Sequence, residues 1–236
     1  SNAGQLCVSA ERFFVADQVY DRFVERFVAR TEAMALGATL DWDVDMGTLI
    51  SQDQLDTATA HVADAVARGA RVLTGGEARP DLGPYFHEPT VLEGVNPDMA
   101  CFGEETFGPV VALYRFHDEA DAVARANAGE YGLNAAVYSQ DGARARELAR
   151  HIRCGTVNIN EGFGSTFGSL AAPMGGMRQS GMGRRQGSEG ILRYTDTQSV
   201  ATQRGVRIGP QYGLSQERYA GLMTASLRVL NKLGRA

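Results

Sequence analysis

The chain predicts an α/β fold: a mainly parallel open sheet with flanking helices, followed by a C-terminal amphipathic helix. Two observations carry that expectation. Short β-branched runs alternate with segments of helical period, which is the pattern of strands joined by crossover helices. Toward the end, Ser215 to Leu233 places Tyr219, Leu222, Met223, Leu227, Leu230 and Leu233 on one side of a helix, with Arg228 and Lys232 near its C-terminal end, where cations complement the helix dipole.

The elements are expected in this order. Val8 to Val15 reads as a strand, and Asp17 as the N-cap of a helix with Tyr20, Phe23, Val24, Phe27 and Val28 on one face. A second helix runs from about Gln52 to Arg68, with Leu55, Thr59, Val62 and Val66 inward and Gly69 at its stop. Strands follow at 71–74, 90–92 and 110–114, then a helix at 119–127, a strand at 135–138, a helix at 143–152 and a strand at 156–159. Between Gly162 and Gly187 periodicity disappears and glycine is frequent, a loop too long to persist without something that organises it. Gln198 to Thr202 is a candidate late strand. The fold is expected to occupy residues 1–203, and 204–236 to form a tail with a helix at about 215–233.

Composition narrows the function. At 236 residues, with 44% hydrophobic side chains and a mean hydropathy of -0.22, the chain can bury a substantial core. A net charge of -5 argues against nucleic acid, whose phosphates demand a basic face. There is no apolar run of bilayer length and no signal-peptide pattern, so no membrane partner is expected. Three widely spaced cysteines, Cys7, Cys101 and Cys154, suit free thiols in a reducing cytoplasm. His61, His87, His117 and His151 form no ligand pair, so no metal is expected.

Three stretches could carry chemistry. Cys7 follows Gly4-Gln5-Leu6, where glycine permits close backbone approach and glutamine adds polarity without burying a charge. By position alone a cysteine is more often a packing residue than a nucleophile. Glu104-Glu105-Thr106-Phe107-Gly108-Pro109 begins with a carboxylate pair that would ordinarily be a solvated acidic patch. Pro173-Met174-Gly175-Gly176-Met177-Arg178-Gln179-Ser180-Gly181-Met182-Gly183-Arg184 is glycine-rich, but lacks the Gly-Lys-Ser/Thr closure of a P-loop.

In this order and at this separation the stretches resemble the C-terminal catalytic domain of the aldehyde dehydrogenase superfamily. Met46 to Ser51, Phe86 to Thr90, Tyr131-Gly132-Leu133 and Gly155 to Asn160 extend the likeness to about Gln203. The resemblance implies that Cys7 attacks the aldehyde carbonyl and that a thiohemiacetal then gives hydride to a nicotinamide. The resulting thioester is cleaved by water. It implies that Glu105 accepts hydrogen bonds from the nicotinamide ribose, that Phe107 packs near the nicotinamide ring, and that the glycine-rich segment shapes the substrate tunnel and subunit contacts. Glu104 is read as a structural ion-pair residue, and Cys101 and Cys154 as structural thiols.

Asn160-Glu161-Gly162 resembles the anchor loop of succinate-semialdehyde dehydrogenases, which places Ser165 or Thr166 near that group's carboxylate-binding serine. Both hydroxyls could equally bond their own loop. That group often carries an arginine six residues before the nucleophile, where this chain has Ser1. The cofactor implied is NAD or NADP, and the full-length enzyme is expected to be a homo-oligomer acting on a small aldehyde. The family's glutamate base, oxyanion asparagine and dinucleotide-binding domain lie upstream of the cysteine. The chain by itself is therefore expected to bind dinucleotide weakly and to be inactive. The alternatives are an assembly module that retains the fold, and an acylating dehydrogenase that passes the thioester to coenzyme A or phosphate.

Overall fold

A computed structural model describes residues 1–39, 41–205 and 209–234. Its elements, in chain order, are β1 (Arg12–Ala16), α1 (Asp17–Glu32), α2 (Gln52–Ala67), β2 (Arg71–Thr74), β3 (Thr90–Glu93), α3 (Ala100–Gly103), β4 (Val110–Phe116), α4 (Glu119–Ala126), β5 (Tyr131–Gly132), β6 (Asn134–Val137), α5 (Gly142–His151), β7 (Thr156–Ile159), α6 (Gly164–Gly168), β8 (Met177–Arg178), α7 (Gly187–Leu192) and α8 (Gln216–Lys232). The chain divides into two compact units, Ser1–Thr195 and Asp196–Ala236.

The main sheet of the first unit has the strand order β1-β4-β3-β2. β4 runs parallel to both of its neighbours, with Phe13 opposite Leu113 and Leu92 opposite Ala112, and β2 is antiparallel at the edge. Central strands buried on both faces explain why 110–114 reads as an apolar run rather than an alternation. The period of two reappears in what each side chain touches. Leu92, Val110, Ala112 and Tyr114 join Ala58, Val62 and Ala65 of α2 in one cluster. Val91 and Leu113 join Tyr20 of α1 in another, packed by Phe13, Phe23, Phe27 and Val111. Helices thus cover both faces. β6 and β7 pair in parallel as a separate two-stranded sheet, and β5 pairs antiparallel with β8.

Four details depart from the sequence reading. The first strand begins at Arg12, because the preceding residues turn, with Ser9 N–H donating to Leu6 O at 2.8 Å. Ala16 rather than Asp17 occupies the α1 N-cap, and the Asp17 carboxylate instead pairs with Arg115 across the β4 end. In α2 the buried stripe is Ala58, His61, Val62 and Ala65, while Thr59 and Val66 face outward. Small alanines let the helix approach the sheet, and His61 is buried because its ring has a partner (below). Gln198 to Thr202 forms no strand, since no neighbour supplies the ladder a strand requires.

The glycine-rich stretch is organised by main-chain packing. A Cβ on Gly155 would lie 1.6 Å from Gly175 O, so β7 and the Gly175-Gly176 turn touch backbone to backbone. Arg178 donates to Asn127 O at 3.0 Å, to Arg153 O at 2.9 Å and to Gly129 O. Ser180 Oγ accepts from Gly132 N–H at 2.9 Å.

In the second unit, Ser215 caps α8 by accepting from Arg218 N–H at 3.3 Å, and Tyr219 OH accepts from Gly209 N–H at 3.0 Å. Among the described residues no helix is long and apolar enough to cross a membrane.

Candidate active site

Cys7 lies on an exposed turn directly before β1. Residues on either side of it fix that turn. Gly4, at φ +77°, sits so close to the Gly108-Pro109 main chain that a Cβ would be 2.0 Å from Gly108 O. Only glycine combines that backbone angle with that approach. Ala3 beside it is buried in the α2-facing core cluster. Gln5 bridges outward: its Oε1 accepts from Ile50 N–H at 2.8 Å, and its Nε2 donates to Thr48 O at 3.3 Å and Asn2 O at 3.1 Å. The 46–51 segment is thereby tied to the turn.

The turn that carries Glu105 and Phe107 follows α3 and leads into β4. Thr106 is buried at its centre and is held through every polar atom it has. Its N–H donates to both carboxylate oxygens of Glu11 at 3.1 Å, and its carbonyl accepts from Gln54 Nε2 at 2.7 Å. Its hydroxyl meets His61 Nδ1 at 3.1 Å. Phe107 N–H also donates to Glu11, at 2.9 Å. Phe107 has φ +50°, a left-handed conformation costly for a bulky residue. These anchors leave Glu105 exposed and Phe107 partly buried. Glu104 lies 3.5 Å from His61 Nε2, in accord with its reading as an ion-pair residue. Burial holds the Glu11 carboxyl above the ordinary carboxylate range, partly offset by its two backbone donors.

The expected carboxylate-binding residues Ser165 and Thr166 lie on α6. Thr166 donates from both N–H (3.0 Å) and hydroxyl (2.7 Å) to Asn158 Oδ1. Asn158, only 2% exposed, passes the link on, its Nδ2 donating to Asn134 Oδ1 at 2.9 Å and to Gly162 O at 3.2 Å. Asn134 Nδ2 in turn donates to Val8 O at 3.3 Å, next to the cysteine. Ser165 is exposed, and its N–H donates to Glu161 at 2.8 Å. Backbone donors hold the Glu161 carboxyl below its ordinary range.

The structure thus connects Cys7 to Glu105 and Phe107 through Gly4 and Glu11, and to Thr166 through half-buried Asn134 and buried Asn158. Thr166's hydroxyl is engaged in that network, which leaves Ser165 as the hydroxyl presented outward. Cys101 is buried in the core, its thiol pushed up to about 11 by desolvation, and Cys154 is half-buried and shifted the same way. The sequence reading missed Glu11, Gln54, His61 and Asn134, none of which belongs to a recognisable motif. Asn158 stood inside a recognised stretch without an assigned role.

Residues 1–200 match the aldehyde dehydrogenase family profile. The chain belongs to the aldehyde dehydrogenase family. Among its relatives, a Mycolicibacterium smegmatis protein provisionally named succinate-semialdehyde dehydrogenase [NADP(+)] is 49% identical over 233 residues, covering 99% of this chain and 45% of its own length. The mitochondrial succinate-semialdehyde dehydrogenase of Rattus norvegicus is 42% identical over 200 residues, covering 84% of this chain and 38% of its own. Among solved structures, succinate-semialdehyde dehydrogenase from Burkholderia pseudomallei matches with a TM-score of 0.75 and 41% identity, over 81% of this chain and 39% of that one. Betaine aldehyde dehydrogenase from Staphylococcus aureus, in complex with NAD+, matches with a TM-score of 0.76 and 36% identity, over 82% and 38%. The chain spans about half the length of the curated relatives it matches.

Proposed function

We propose that the enzyme containing this chain oxidises succinate semialdehyde to succinate with NAD or NADP, through a thioester on Cys7. The observation that carries the reading is the locking of the Cys7 turn to the Glu105-Phe107 turn, by the Gly4-Gly108 contact and the Glu11 carboxylate. An enzyme that moves hydride from a carbon on a cysteine sulfur to a nicotinamide needs those two turns in fixed relation.

An exposed thiol on a turn can reach a carbonyl carbon, forming the Sγ–C bond of a thiohemiacetal. The Cys7 N–H supplies one donor toward the resulting oxyanion. The exposed Glu105 carboxylate, an acceptor only, suits the paired hydroxyls of a ribose. The Phe107 ring gives an apolar edge beside it. The dinucleotide, when bound, accepts the hydride. Water then cleaves the thioester and releases the acid. At the far end Ser165 faces the substrate's distal carboxylate, and Thr166 keeps α6 in place through Asn158. Preference for a dicarboxylic semialdehyde is supported by the Asn160-Glu161-Gly162 loop and by the two named relatives.

Among the described residues no side-chain base is hydrogen-bonded to Cys7, so the 236 residues alone are expected to turn over no aldehyde above a Cys7→Ser control. The test is steady-state oxidation of succinate semialdehyde and butanal by the enzyme that contains this chain. Cys7→Ser is expected to abolish both. Ser165→Ala is expected to raise KM for succinate semialdehyde about tenfold, as for one lost hydrogen bond to a charged group, with butanal unaffected. Equal effects on the two aldehydes would refute the carboxylate role, and an active Cys7→Ser would refute the mechanism.

A further inference from the structure

We propose that Glu11 is a positioning residue for cofactor recognition, clamping the Glu105-Phe107 turn onto the strand that follows the nucleophile. This rests on the dehydrogenase reading above and extends it to a residue outside every motif.

Glu11 stands four positions after Cys7 and immediately before β1, and its carboxylate reaches across to a turn nearly a hundred residues later. It accepts two consecutive backbone N–H groups, from Thr106 at 3.1 Å and from Phe107 at 2.9 Å. A carboxylate accepting adjacent amides makes a stiff, charge-assisted clamp. The amides concerned are those directly after Glu105 and at Phe107 itself, so the clamp fixes the peptide from which each side chain departs. Phe107 is at φ +50°, and a non-glycine residue keeps that conformation only where its surroundings over-determine it. Glu11 is one such surrounding, with Gln54 and His61 holding Thr106 from the other side.

A purely structural role is a weaker account. A partly buried carboxylate is a costly way to satisfy two amides, and glutamine's single carbonyl would serve at lower desolvation cost. The charge gives stiffness where the cofactor-facing side chains leave the backbone. Protein stability alone does not call for it.

Two measurements test this. In the 236-residue chain, hydrogen exchange followed by mass spectrometry is expected to show Glu11→Ala losing protection at 104–109 while β3 and β4 stay protected. Glu11→Gln, which keeps a neutral acceptor without the charge, is expected to show an intermediate loss. Unchanged exchange at 104–109 overturns the proposal. So does loss spread evenly through β3 and β4, which would make Glu11 a support of the fold. In the enzyme containing the chain, Glu11→Ala is expected to raise KM for the dinucleotide about tenfold with the aldehyde KM within about threefold, and Glu11→Gln to fall between Glu11→Ala and wild type. An unchanged dinucleotide KM overturns the proposal. Should Glu11→Ala not fold, Glu11→Asp, one methylene short of the Phe107 amide, carries both tests. If the wild-type enzyme shows no dinucleotide-dependent oxidation, the dehydrogenase reading falls, and the exchange result still decides whether Glu11 holds the turn.

Discussion

Gly4→Ala is the substitution that most directly probes the contact on which the site depends. Two costs add at that position. The backbone sits at φ +77°, which an L side chain adopts at a cost of about 1–2 kcal/mol. The new Cβ would also lie 2.0 Å from Gly108 O and 2.5 Å from its carbonyl carbon, so the Gly108-Pro109 main chain must move. Overpacking of that kind costs about 1–3 kcal/mol. The sum is about 2–5 kcal/mol, which for a unit of this size lowers Tm by roughly 4–20 °C. Gly108→Ala is the internal control. Gly108 faces Gly4 across the same contact, but its own Cβ would meet Ala58 Cβ at 3.4 Å and Thr106 Cγ2 at 3.7 Å, ordinary packing distances. Its cost is expected to stay at or below about 1 kcal/mol, within the usual range of a tolerated substitution. Thermal melts and urea titrations of the three proteins measure the asymmetry. If Gly4→Ala melts with the wild type, or if the two variants lose equal stability, the main-chain contact does not hold the two turns together.

Three further outcomes are expected. Brief iodoacetamide treatment at neutral pH should alkylate exposed Cys7 first, half-buried Cys154 more slowly and core Cys101 last, its thiol pushed up to about 11. Peptide mass spectrometry gives the order, and Cys101 reacting alongside Cys7 would contradict it. Asn158→Leu removes four hydrogen bonds from a site 2% exposed and should cost about 2–4 kcal/mol in a denaturant titration, the range for buried partners left unsatisfied; a loss under about 1 kcal/mol would refute its linking role. His87 is buried with Nδ1 near Glu88 O and no partner for Nε2, and burial holds its pKa below the ordinary value of 6.5. A depressed pKa means stability that is fully present above about pH 6.5 and lost as pH falls through the folded value. The melting temperature of wild type should therefore drop more between pH 7 and pH 5 than that of His87→Leu, and parallel curves would refute the assignment.

Elements were legible where local period and buried face coincide. β3, β4, β7 and α4 fall within two residues of their expected limits, because short β-branched or apolar runs and a helix capped by Asp118 announce themselves locally. Apolarity alone points to the wrong part of the α2 face, because Ala58, Ala65 and His61 are buried for size and partnership. Gln198 to Thr202 has strand composition, but a strand is defined by a neighbour, which composition does not record. The same limit governs the site. Cys7, Glu105 and Phe107 stand in motifs that can be read as words. Glu11, His61, Gln54 and Asn134 act through contacts 22 to 126 residues away in sequence, and nothing at their own positions marks them.

The division between those two groups has a physical basis. Residues meant to meet a ligand must be exposed and chemically particular, so they stand out in a sequence. Here the residues proposed to meet ligands, Cys7, Glu105 and Ser165, are all exposed. The residues that hold them must satisfy backbone groups in the interior, and any side chain of suitable length and polarity can do so. Glu11 accepts from Thr106 and Phe107, Asn158 from Thr166, and Gln5 from Ile50, each replacing a main-chain partner that the irregular turn lacks. Two turns and the start of α6 thus share one solution, a side-chain oxygen standing in for a missing main-chain partner. The rigidity that the proposed hydride transfer requires therefore resides in polar links between loops, with the sheet serving as the frame from which those links are built.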